Sequence, residues 1–400
     1  MSSKNTLIIT LPPEIVGGVA IKARILADHL RRRGQSVTIA HYAAMGSNTT
    51  LNVPLARLLT GQRPGTREHV AFGDHHCITV GCRLPELEAS YTANSPLWRD
   101  LIARNDRHIA VGGTVLVAAP YAAAGIPHLI WCASDVDGDR TDRHNAMAPL
   151  RRVYDSAVVV PLLHRLEKQV LHRDGHIMGV SPYTLERLRQ INPGLGDRLH
   201  HVPVPIDKAL FSPHLPPVTQ GRIGFVGRLD DPRKNIGLLL DAFVKIRARL
   251  PAASLILVGN DSGACQSEID RRNLAGAVEL AGRLEPSDLV AFYRSLDVFV
   301  IPSLQEGLAI VGLEAMGCGV PVVSTRCGGP ESFVSDGENG FLTGFSSDQL
   351  ADAAIRIIED RHMRERMGKA ARSTIESTYG IGEFALKLDT VWDKIWNETL

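Results

Sequence analysis

The fold of this chain is restricted most by an alternation of short apolar runs with helix-like segments, which starts twice. In the first half, an apolar run at Thr6–Thr10 precedes a helical pattern over Val19–Arg33. After the proline-rich stretch His201–Val218, a run at Arg222–Val226 precedes a helical pattern over Ile236–Leu250. Strands that alternate with helices form parallel sheets covered on both faces. The sequence therefore predicts an α/β chain with two doubly wound domains. Less regular patterns predict further elements: helices over Leu51–Arg63 and Leu166–His172, a helix capped by Ser181 with Pro182 in its first turn, strands over Thr79–Leu84 and Ser254–Val258, and a last helix over Ile381–Trp396.

Length and composition fit a globular protein of this kind. The chain has 400 residues, too many for one core, and 44% of them are hydrophobic. The net charge of +1 gives no indication of nucleic acid or an acidic membrane as a partner. The six cysteines lack a paired spacing, and no signal peptide or membrane-spanning stretch is recognisable. We therefore predict a cytoplasmic protein with reduced thiols.

Two glycines lie at the first junction between a strand and a helix. Gly17 and Gly18 directly precede the helical pattern at Val19, where backbone N–H groups can hold a phosphate. A tight turn without a ligand would explain both glycines as well. The spacing differs from the G-x-G-x-x-G pattern, so a nicotinamide or flavin cofactor is disfavoured.

The corresponding junction in the second half carries two cations, Arg228 and Lys234. They lie between the strand Arg222–Val226 and the following helix, whose positive end adds to their charge. Two cations in this place can neutralise a pyrophosphate without a metal ion. Solvated surface charges are the alternative, but the position at a strand end favours phosphate binding.

Two carboxylates, Glu306 and Glu314, follow a later apolar run and are eight positions apart. If Leu308–Cys318 is helical, a rise of ~1.5 Å per residue separates them by about 12 Å. They would then be too far apart to share one proton or one metal ion. We expect them to bind opposite ends of one elongated ligand.

Two polar clusters in the first half each allow two interpretations. The segment Ala133–Asp139 carries three carboxylates at a strand end. It is either a solvated acidic loop or helix cap, or a site that holds the hydroxyls of a sugar. His75, His76 and Cys77 with Cys82 match no standard zinc spacing. A hydrogen-bonded polar turn is therefore favoured over a metal site, and we predict no bound metal.

The second half contains a series of short motifs in a fixed order. They are Gly227-Arg228, Lys234-Asn235, Leu257-Val258-Gly259, Ala281-Gly282-Arg283-Leu284, Pro302-Ser303, Glu306-Gly307, Glu314-Ala315-Met316, Gly319-Val320-Pro321-Val322-Val323 and Gly328-Gly329. In this order they resemble the donor-binding domain of retaining GT-B glycosyltransferases of family four. The most specific is the spacing of Glu306 and Glu314, which is similar to the E-x7-E motif of that family. The first half resembles the family more loosely.

The resemblance implies a GT-B fold, with two Rossmann-like domains that face a central cleft. An acceptor-binding domain would cover residues 1–205 and a donor-binding domain residues 206–380, and a C-terminal helix within 381–400 would cross back to the first. The implied reaction is transfer of a hexose from a UDP- or GDP-sugar to a hydroxyl acceptor, with retention of configuration and without a metal. No cofactor is implied besides this donor substrate.

The resemblance also assigns roles to individual residues. Arg228 and Lys234 would stabilise the departing diphosphate. Glu314 would accept hydrogen bonds from the ribose, and Glu306 would hold the donor sugar and its oxocarbenium-like centre. The other donor contacts would come from the backbone at Gly17 and Gly18, at Arg283 and Leu284 for the base, and at Gly307, Leu308, Ala309 and Ile310.

Two positions depart from the family pattern. Family members commonly carry a histidine after the strand that here ends near Trp131, but the segment is Trp131-Cys132-Ala133-Ser134-Asp135. Three interpretations follow: Asp135 takes over a catalytic contact with the donor sugar, another polar group does so, or the activity differs. Leu308 and Ala309 stand where the family often has an aromatic residue and glycine, which places a methyl group beside the expected sugar pocket.

Three classes of function are consistent with these motifs. A glycosyltransferase is the leading interpretation; a sugar-nucleotide 2-epimerase-like enzyme and a non-catalytic nucleotide-sugar-binding partner are the alternatives. The acceptor would be a sugar, a glycan, a lipid-linked molecule or another small molecule. No nucleic-acid partner is expected, and no basic amphipathic helix supports membrane association.

Overall fold

The computed structural model describes residues 4–15, 17–44, 50–145, 147–213, 221–261, 263–398 and 400. It divides into two compact units, Met1–Val202 with Ala385–Leu400, and Pro203–Phe384. Residues 214–218 of the predicted connection lie outside the described residues. Each unit contains a parallel or largely parallel sheet with connecting helices, which confirms the prediction of two doubly wound α/β domains.

The first unit is built on an eight-stranded sheet. Its strands are β1 (Asn5–Thr10), β2 (Ser36–Tyr42), β3 (Thr66–Ala71), β4 (His75–Val80), β5 (Arg107–Val111), β6 (Leu129–Cys132), β7 (His176–Gly179) and β8 (Leu199–His201). Their order is β3-β4-β2-β1-β5-β6-β7-β8, with β3 antiparallel to β4. The strands β5 and β6 are almost wholly buried, because helices cover the sheet on both faces.

The helices of the first unit connect these strands. They are α1 (Gly18–Arg32), α2 (Pro96–Ala103), α3 (Ala119–Ala124), α4 (Val136–Asn145), α5 (Pro149–Tyr154), α6 (Val160–Leu171) and α7 (Pro182–Ile191). The start of α7 is the one expected from the sequence, with the hydroxyl of Ser181 accepting a hydrogen bond from the Thr184 N–H and proline at the first helical position.

Several expectations for the first unit were wrong in their boundaries. A strand expected at Thr79–Leu84 lies instead at His75–Val80, where its backbone pairs with β3 along its whole length and with β2 from Cys77 onward. The helix expected over Leu51–Arg63 is a short 3-10 turn at Leu55–Thr60. The acidic segment Ala133–Asp139 is not a plain loop, since α4 begins within it and its first turn carries carboxylates that the helix dipole favours.

A long helical run in the first unit was only partly expected. The helix α5, a π-helical segment at Asp155–Val159 and α6 follow one another without a break, whereas the sequence predicted a helix only from Leu166. The early turns lack a simple amphipathic pattern, since they expose apolar side chains such as Leu150 and Val153. The helix α5 has no buried residue, and the buried residues of the π-helical segment are Asp155 and Val159.

The second unit contains a six-stranded, fully parallel sheet. Its strands are β9 (Arg222–Val226), β10 (Ser254–Val258), β11 (Val278–Gly282), β12 (Val298–Ile301), β13 (Val322–Thr325) and β14 (Gly340–Thr343). Its helices are α8 (Ile236–Arg249), α9 (Ala264–Arg271), α10 (Pro286–Arg294), α11 (Ile310–Gly317), α12 (Ser347–Glu359), α13 (Arg361–Thr378) and the start of α14 (Ile381–Trp396). The strand order is β11-β10-β9-β12-β13-β14.

The core of the second unit follows from the helical spacing that predicted its first helix. Leu239, Leu240, Phe243 and Ile246 of α8 are buried on one face. The last helix, α14, has the predicted bounds, and its residues from Ala385 onward belong to the first unit. No helix in the described part of the chain is long and apolar enough to cross a membrane.

Candidate active site at the strand reversal of the second unit

The strand order of the second unit locates a ligand site. The first strand of the unit, β9, lies beside the fourth, β12, so the direction of winding reverses between them. In open parallel sheets, the loops that leave the carboxyl ends of two such strands diverge and leave a crevice in which ligands bind. Here those loops are residues 227–235 after β9 and residues 302–309 after β12.

An ion pair joins the two loops. Lys234 Nζ lies 2.6 Å from Glu306 Oε1, and Ser303 Oγ donates to the same oxygen at 2.8 Å. The side chains of Lys234 and Glu306 are only 17% and 13% exposed, so solvent screens this pair weakly. Among the described residues no donor engages Glu306 Oε2, which leaves one carboxylate oxygen available to a ligand hydroxyl.

Backbone contacts fix the position of Glu306. Its N–H donates to the Cys327 carbonyl at 2.8 Å, and its carbonyl accepts from the Gly329 N–H at 2.8 Å. A Cβ atom on Gly329 would lie 2.5 Å from the backbone of Leu308, so this close approach requires glycine. The Gly328-Gly329 motif therefore supports the loop that carries the predicted catalytic glutamate.

Two hydrogen bonds tie the loops to each other. The Leu304 N–H donates to the Arg233 carbonyl at 2.8 Å, and Asn235 Nδ2 donates to the Pro302 carbonyl at 3.2 Å. Asn235 adopts the left-handed backbone conformation, with φ 50°, which asparagine tolerates better than most residues. The ion pair of Lys234 and Glu306 is thus held on a cross-linked pair of loops.

Arg228 occupies a more open position on the first of these loops. Its side chain is 47% exposed and pairs with Asp231. Asp231 also accepts hydrogen bonds from Arg233 Nη2 and Nε, at 2.9 and 3.2 Å. Burial raises the pKa of Asp231, but the hydrogen bonds and charge of Arg233 and the charge of Arg228 outweigh it and lower the pKa to about 2. Sequence reasoning did not single out Asp231, which pairs with Arg228, or Arg233, which pairs with the same carboxylate.

The segment between the two glutamates contains an unusual backbone conformation. Ala309 has φ 64° and ψ 66°, in the left-handed region, and directly precedes α11, which has no side-chain cap. A glycine would adopt this conformation without strain, which gives a physical reason for the glycine that the family often has there. Leu308 and Ala309 are both buried.

The expected helical span between Glu306 and Glu314 was wrong. The helix begins at Ile310 rather than at Leu308, so only the second half of the interval is helical. The estimate of about 12 Å from helical rise therefore does not apply. The two carboxylates still lie on one connected segment, one in the loop after β12 and one in α11.

Glu314 is held by a residue that sequence reasoning did not single out. The Tyr293 hydroxyl, on α10, donates to Glu314 Oε2 at 2.7 Å, and Tyr293 is fully buried. Burial raises the pKa of Glu314 to about 7, and the hydrogen bond from Tyr293 partly offsets this effect. A carboxylate poised near neutrality by burial is typical of ligand-binding and catalytic sites.

The other predicted donor contacts lie elsewhere in the two units. Arg283 and Leu284 directly follow β11, where Arg283 is exposed and Leu284 is half-buried. Gly18 begins α1 after β1 in the first unit. Gly17 is the residue before this helix, and no side chain caps the helix start. These assignments remain predictions, as do the donor contacts of Gly307 and Ile310.

Asp135 has a structural partner in the first unit. It is 1% exposed, and its two carboxylate oxygens accept from Arg187 at 2.6 and 3.3 Å. This two-point pairing favours a role in fixing the loop between β6 and α4. Its predicted catalytic contact with a donor sugar remains a prediction. No three His, Cys, Asp or Glu side chains converge as metal ligands within the described ranges.

Comparisons with known proteins agree with this architecture. The family model "Glycosyl transferases group 1" matches residues 207–374. A GDP-mannose-dependent monoacylated alpha-(1-6)-phosphatidylinositol monomannoside mannosyltransferase from Corynebacterium glutamicum is 31% identical, over 50% of this chain and 57% of its own length. A D-inositol 3-phosphate glycosyltransferase from Corynebacterium jeikeium is 37% identical over 38% of each chain. These two matches thus span about half, or less, of the relatives.

Longer matches extend the likeness to both units. A D-inositol 3-phosphate glycosyltransferase from Paenarthrobacter aurescens is 32% identical over 90% of this chain and 89% of its own length. The solved sucrose-phosphate synthase from Thermosynechococcus elongatus has a TM-score of 0.73 at 19% identity, with 98% of this chain and 99% of that chain covered. This second likeness shows the fold alone. On the alignment with the Paenarthrobacter aurescens relative, the chain belongs to the group 1 glycosyltransferases of family four and has the GT-B fold.

Proposed function

We propose that the protein transfers a sugar from a nucleotide diphospho-sugar to a hydroxyl acceptor, with retention of configuration and without a metal ion. The observation that carries this proposal is the ion pair of Lys234 and Glu306 at the reversal between β9 and β12. A cation and a carboxylate meet there with Arg228 on the same loop as the lysine. A diphospho-sugar fits such a pair, because its phosphate oxygens accept from cations and its sugar hydroxyls donate to carboxylates.

The charges of the site suit the departure of a diphosphate. Negative charge grows on the diphosphate as its bond to the sugar breaks, and preorganised cations then stabilise the transition state more than the ground state. Lys234 is already fixed by Glu306, whereas the half-exposed Arg228 can turn from Asp231 to a phosphate. The two cations can thus take the role that a divalent metal has in other enzymes.

The glutamates suit the two ends of the donor. Glu306 has one oxygen held by Lys234 and Ser303, which leaves Oε2 for a sugar hydroxyl near the reacting carbon. Glu314, oriented by Tyr293, would accept hydrogen bonds from the ribose. GDP-mannose is named for the relative from Corynebacterium glutamicum, and UDP-glucose occupies one structural neighbour, HepE from Anabaena. We propose a GDP- or UDP-sugar as the donor and a hydroxyl of an inositol or sugar as the acceptor.

The test is release of nucleoside diphosphate by the purified protein. GDP-mannose, UDP-glucose and UDP-N-acetylglucosamine are each incubated with D-inositol 3-phosphate, with free inositol and with simple sugars. The product is examined by NMR for its anomeric configuration, with and without EDTA. Transfer with a retained anomer in EDTA supports the proposal.

Matched variants separate the site from the rest of the unit. Lys234→Met and Glu306→Gln should each lower turnover by about 100-fold or more, as for loss of one preorganised charge at a reacting centre. Lys245→Met is the control, since it removes an ion-paired lysine of α8 that lies outside both loops. Formation of an epimer of the donor, or nucleotide binding without diphosphate release from any pair, would overturn the proposal.

A further inference from the structure

An apolar stripe lies on the outer face of the helical run formed by α5, the π-helical segment and α6. Leu150 and Val153 are 88% and 68% exposed, and Tyr154, Val158 and Leu162 are also exposed. Leu150, Tyr154, Val158 and Leu162 are four positions apart, which places them on one face of a helix. Exposed apolar side chains that are contiguous in this way indicate an interaction surface.

The opposite face of the same run is firmly held, so the exposure of the stripe is a feature of the folded unit. Asp155 is fully buried and accepts from Arg140 Nε at 3.1 Å, with His144 Nδ1 3.0 Å away. Further along, Glu167 Oε1 accepts from the Val136 N–H at 2.9 Å. The run therefore has a fixed rotation, with its polar anchors inward and its apolar stripe outward.

A groove lined by basic side chains lies along α6, next to the stripe. It has a volume of about 910 Å³ and lies between the alanine-rich α3 and the outer side of α6. Of its basic side chains, His164 Nε2 lies 2.8 Å from Asp137 Oδ1, whereas Arg165, Lys168 and Arg173 form no ion pair among the residues that the structure describes. The basic side chains that line it are His164, Arg165, Lys168, His172 and Arg173.

We propose that the run Pro149–Leu171 docks the protein on a lipid bilayer that contains anionic lipids. The apolar stripe would enter the interface, and the unpaired cations of the groove would bind lipid phosphates beside it. An apolar stripe beside a group of cations favours a bilayer over a protein partner. An anionic bilayer offers an apolar layer and a high density of negative charge next to each other. The sequence showed no basic amphipathic helix because only the end of this run was recognised as helical.

The test is sedimentation of the full chain with vesicles, which needs no donor and is independent of the proposed reaction. Vesicles of phosphatidylcholine alone are compared with vesicles of phosphatidylcholine and phosphatidylglycerol. We expect binding to the anionic vesicles only. The double variants Leu150→Ser with Val158→Ser, and Arg165→Gln with Lys168→Gln, should each lower this binding by about tenfold or more.

The controls remove side chains of the same chemistry at other places. Leu386→Ser with Val70→Ser removes two exposed apolar side chains elsewhere, and Arg366→Gln with Lys369→Gln removes two exposed cations three positions apart on α13. Both controls should bind vesicles as the unaltered chain does. Absence of sedimentation, equal loss in the controls, or concentration-dependent dimerisation that the Leu150→Ser with Val158→Ser variant abolishes would each overturn the proposal, the last in favour of a second copy of the chain. Circular dichroism verifies that each variant is folded.

Discussion

Replacement of Glu314 by glutamine should change how the stability of the protein depends on pH. Burial raises the pKa of Glu314 from 4.5 to about 7. The folded state therefore keeps a proton that the unfolded chain releases, and the free energy of unfolding falls as pH rises from about 4.5 to about 7. Below this window both states are protonated and the carboxyl has no cost; above it the cost is fully present.

The magnitude follows from the two pKa values. Their difference, at about 1.36 kcal/mol per pH unit, corresponds to about 3 kcal/mol. Glutamine keeps an oxygen that can accept from the Tyr293 hydroxyl and carries no charge. The Glu314→Gln variant should therefore gain about 3 kcal/mol in free energy of unfolding, relative to the unaltered chain, between about pH 4.5 and about pH 8.

The assay is urea unfolding of both proteins across this range, without nucleotide and followed by tryptophan fluorescence and circular dichroism. Glu338→Gln is the control, because it replaces an exposed glutamate of the same unit. The difference between Glu314→Gln and the unaltered chain should rise with pH, and the control difference should stay flat. A flat difference for Glu314→Gln would refute the reasoning that desolvation of the half-buried Glu314 carboxyl lowers the stability of the free protein.

Three further substitutions test the strain at Ala309, the hydrogen bond of Tyr293 and the burial of Lys22. Ala309→Gly should raise the free energy of unfolding by about 0.5–1 kcal/mol in urea, since it relieves the left-handed strain at φ 64°; an unchanged midpoint would contradict this. Tyr293→Phe removes a hydrogen bond that lowers the pKa of Glu314, so the pH at which the Glu314-dependent stability changes should move upward. Burial lowers the pKa of Lys22 to about 8, and its Nζ donates to the Gly112 carbonyl at 2.8 Å. The free energy of unfolding of the unaltered chain should therefore rise by up to about 3 kcal/mol, relative to that of Lys22→Met, as pH rises from about 8 to about 10.5.

The second unit could be predicted closely because its strands are buried and its helices are amphipathic. The strands Arg222–Val226 and Ser254–Val258 have the predicted bounds, and the helix from Ile236 ends one residue earlier than expected. Apolar periodicity is a local property, so it can be read from neighbouring residues alone. The loops that carry Lys234 and Glu306 follow such strands, and their place at strand ends was foreseeable for the same reason.

Contacts between distant residues could not be predicted in this way. Lys234 and Glu306 are 72 positions apart, and nothing local to either shows that they form an ion pair. The same holds for Tyr293 with Glu314 and for His75 with Asp28. Only the family resemblance had brought Lys234 and Glu306 into one site, and it said nothing of Tyr293.

Several features near β12 lower the stability of the free protein, and together they support ligand binding at this place. Ala309 is strained, Glu314 is a half-buried carboxyl with a raised pKa, and Lys234 and Glu306 are largely withdrawn from water. Each feature lowers the stability of the free protein or contributes little to it. Their concentration on one loop and helix is hard to explain by folding alone, whereas a bound diphospho-sugar would use the cation, the free carboxylate oxygen and the half-buried carboxyl together. A donor at 100 times its dissociation constant should stabilise the unaltered chain by about 2.7 kcal/mol in a thermal-shift titration. In the same titration, Ala309→Gly and Glu314→Gln should bind the donor no better than the unaltered chain.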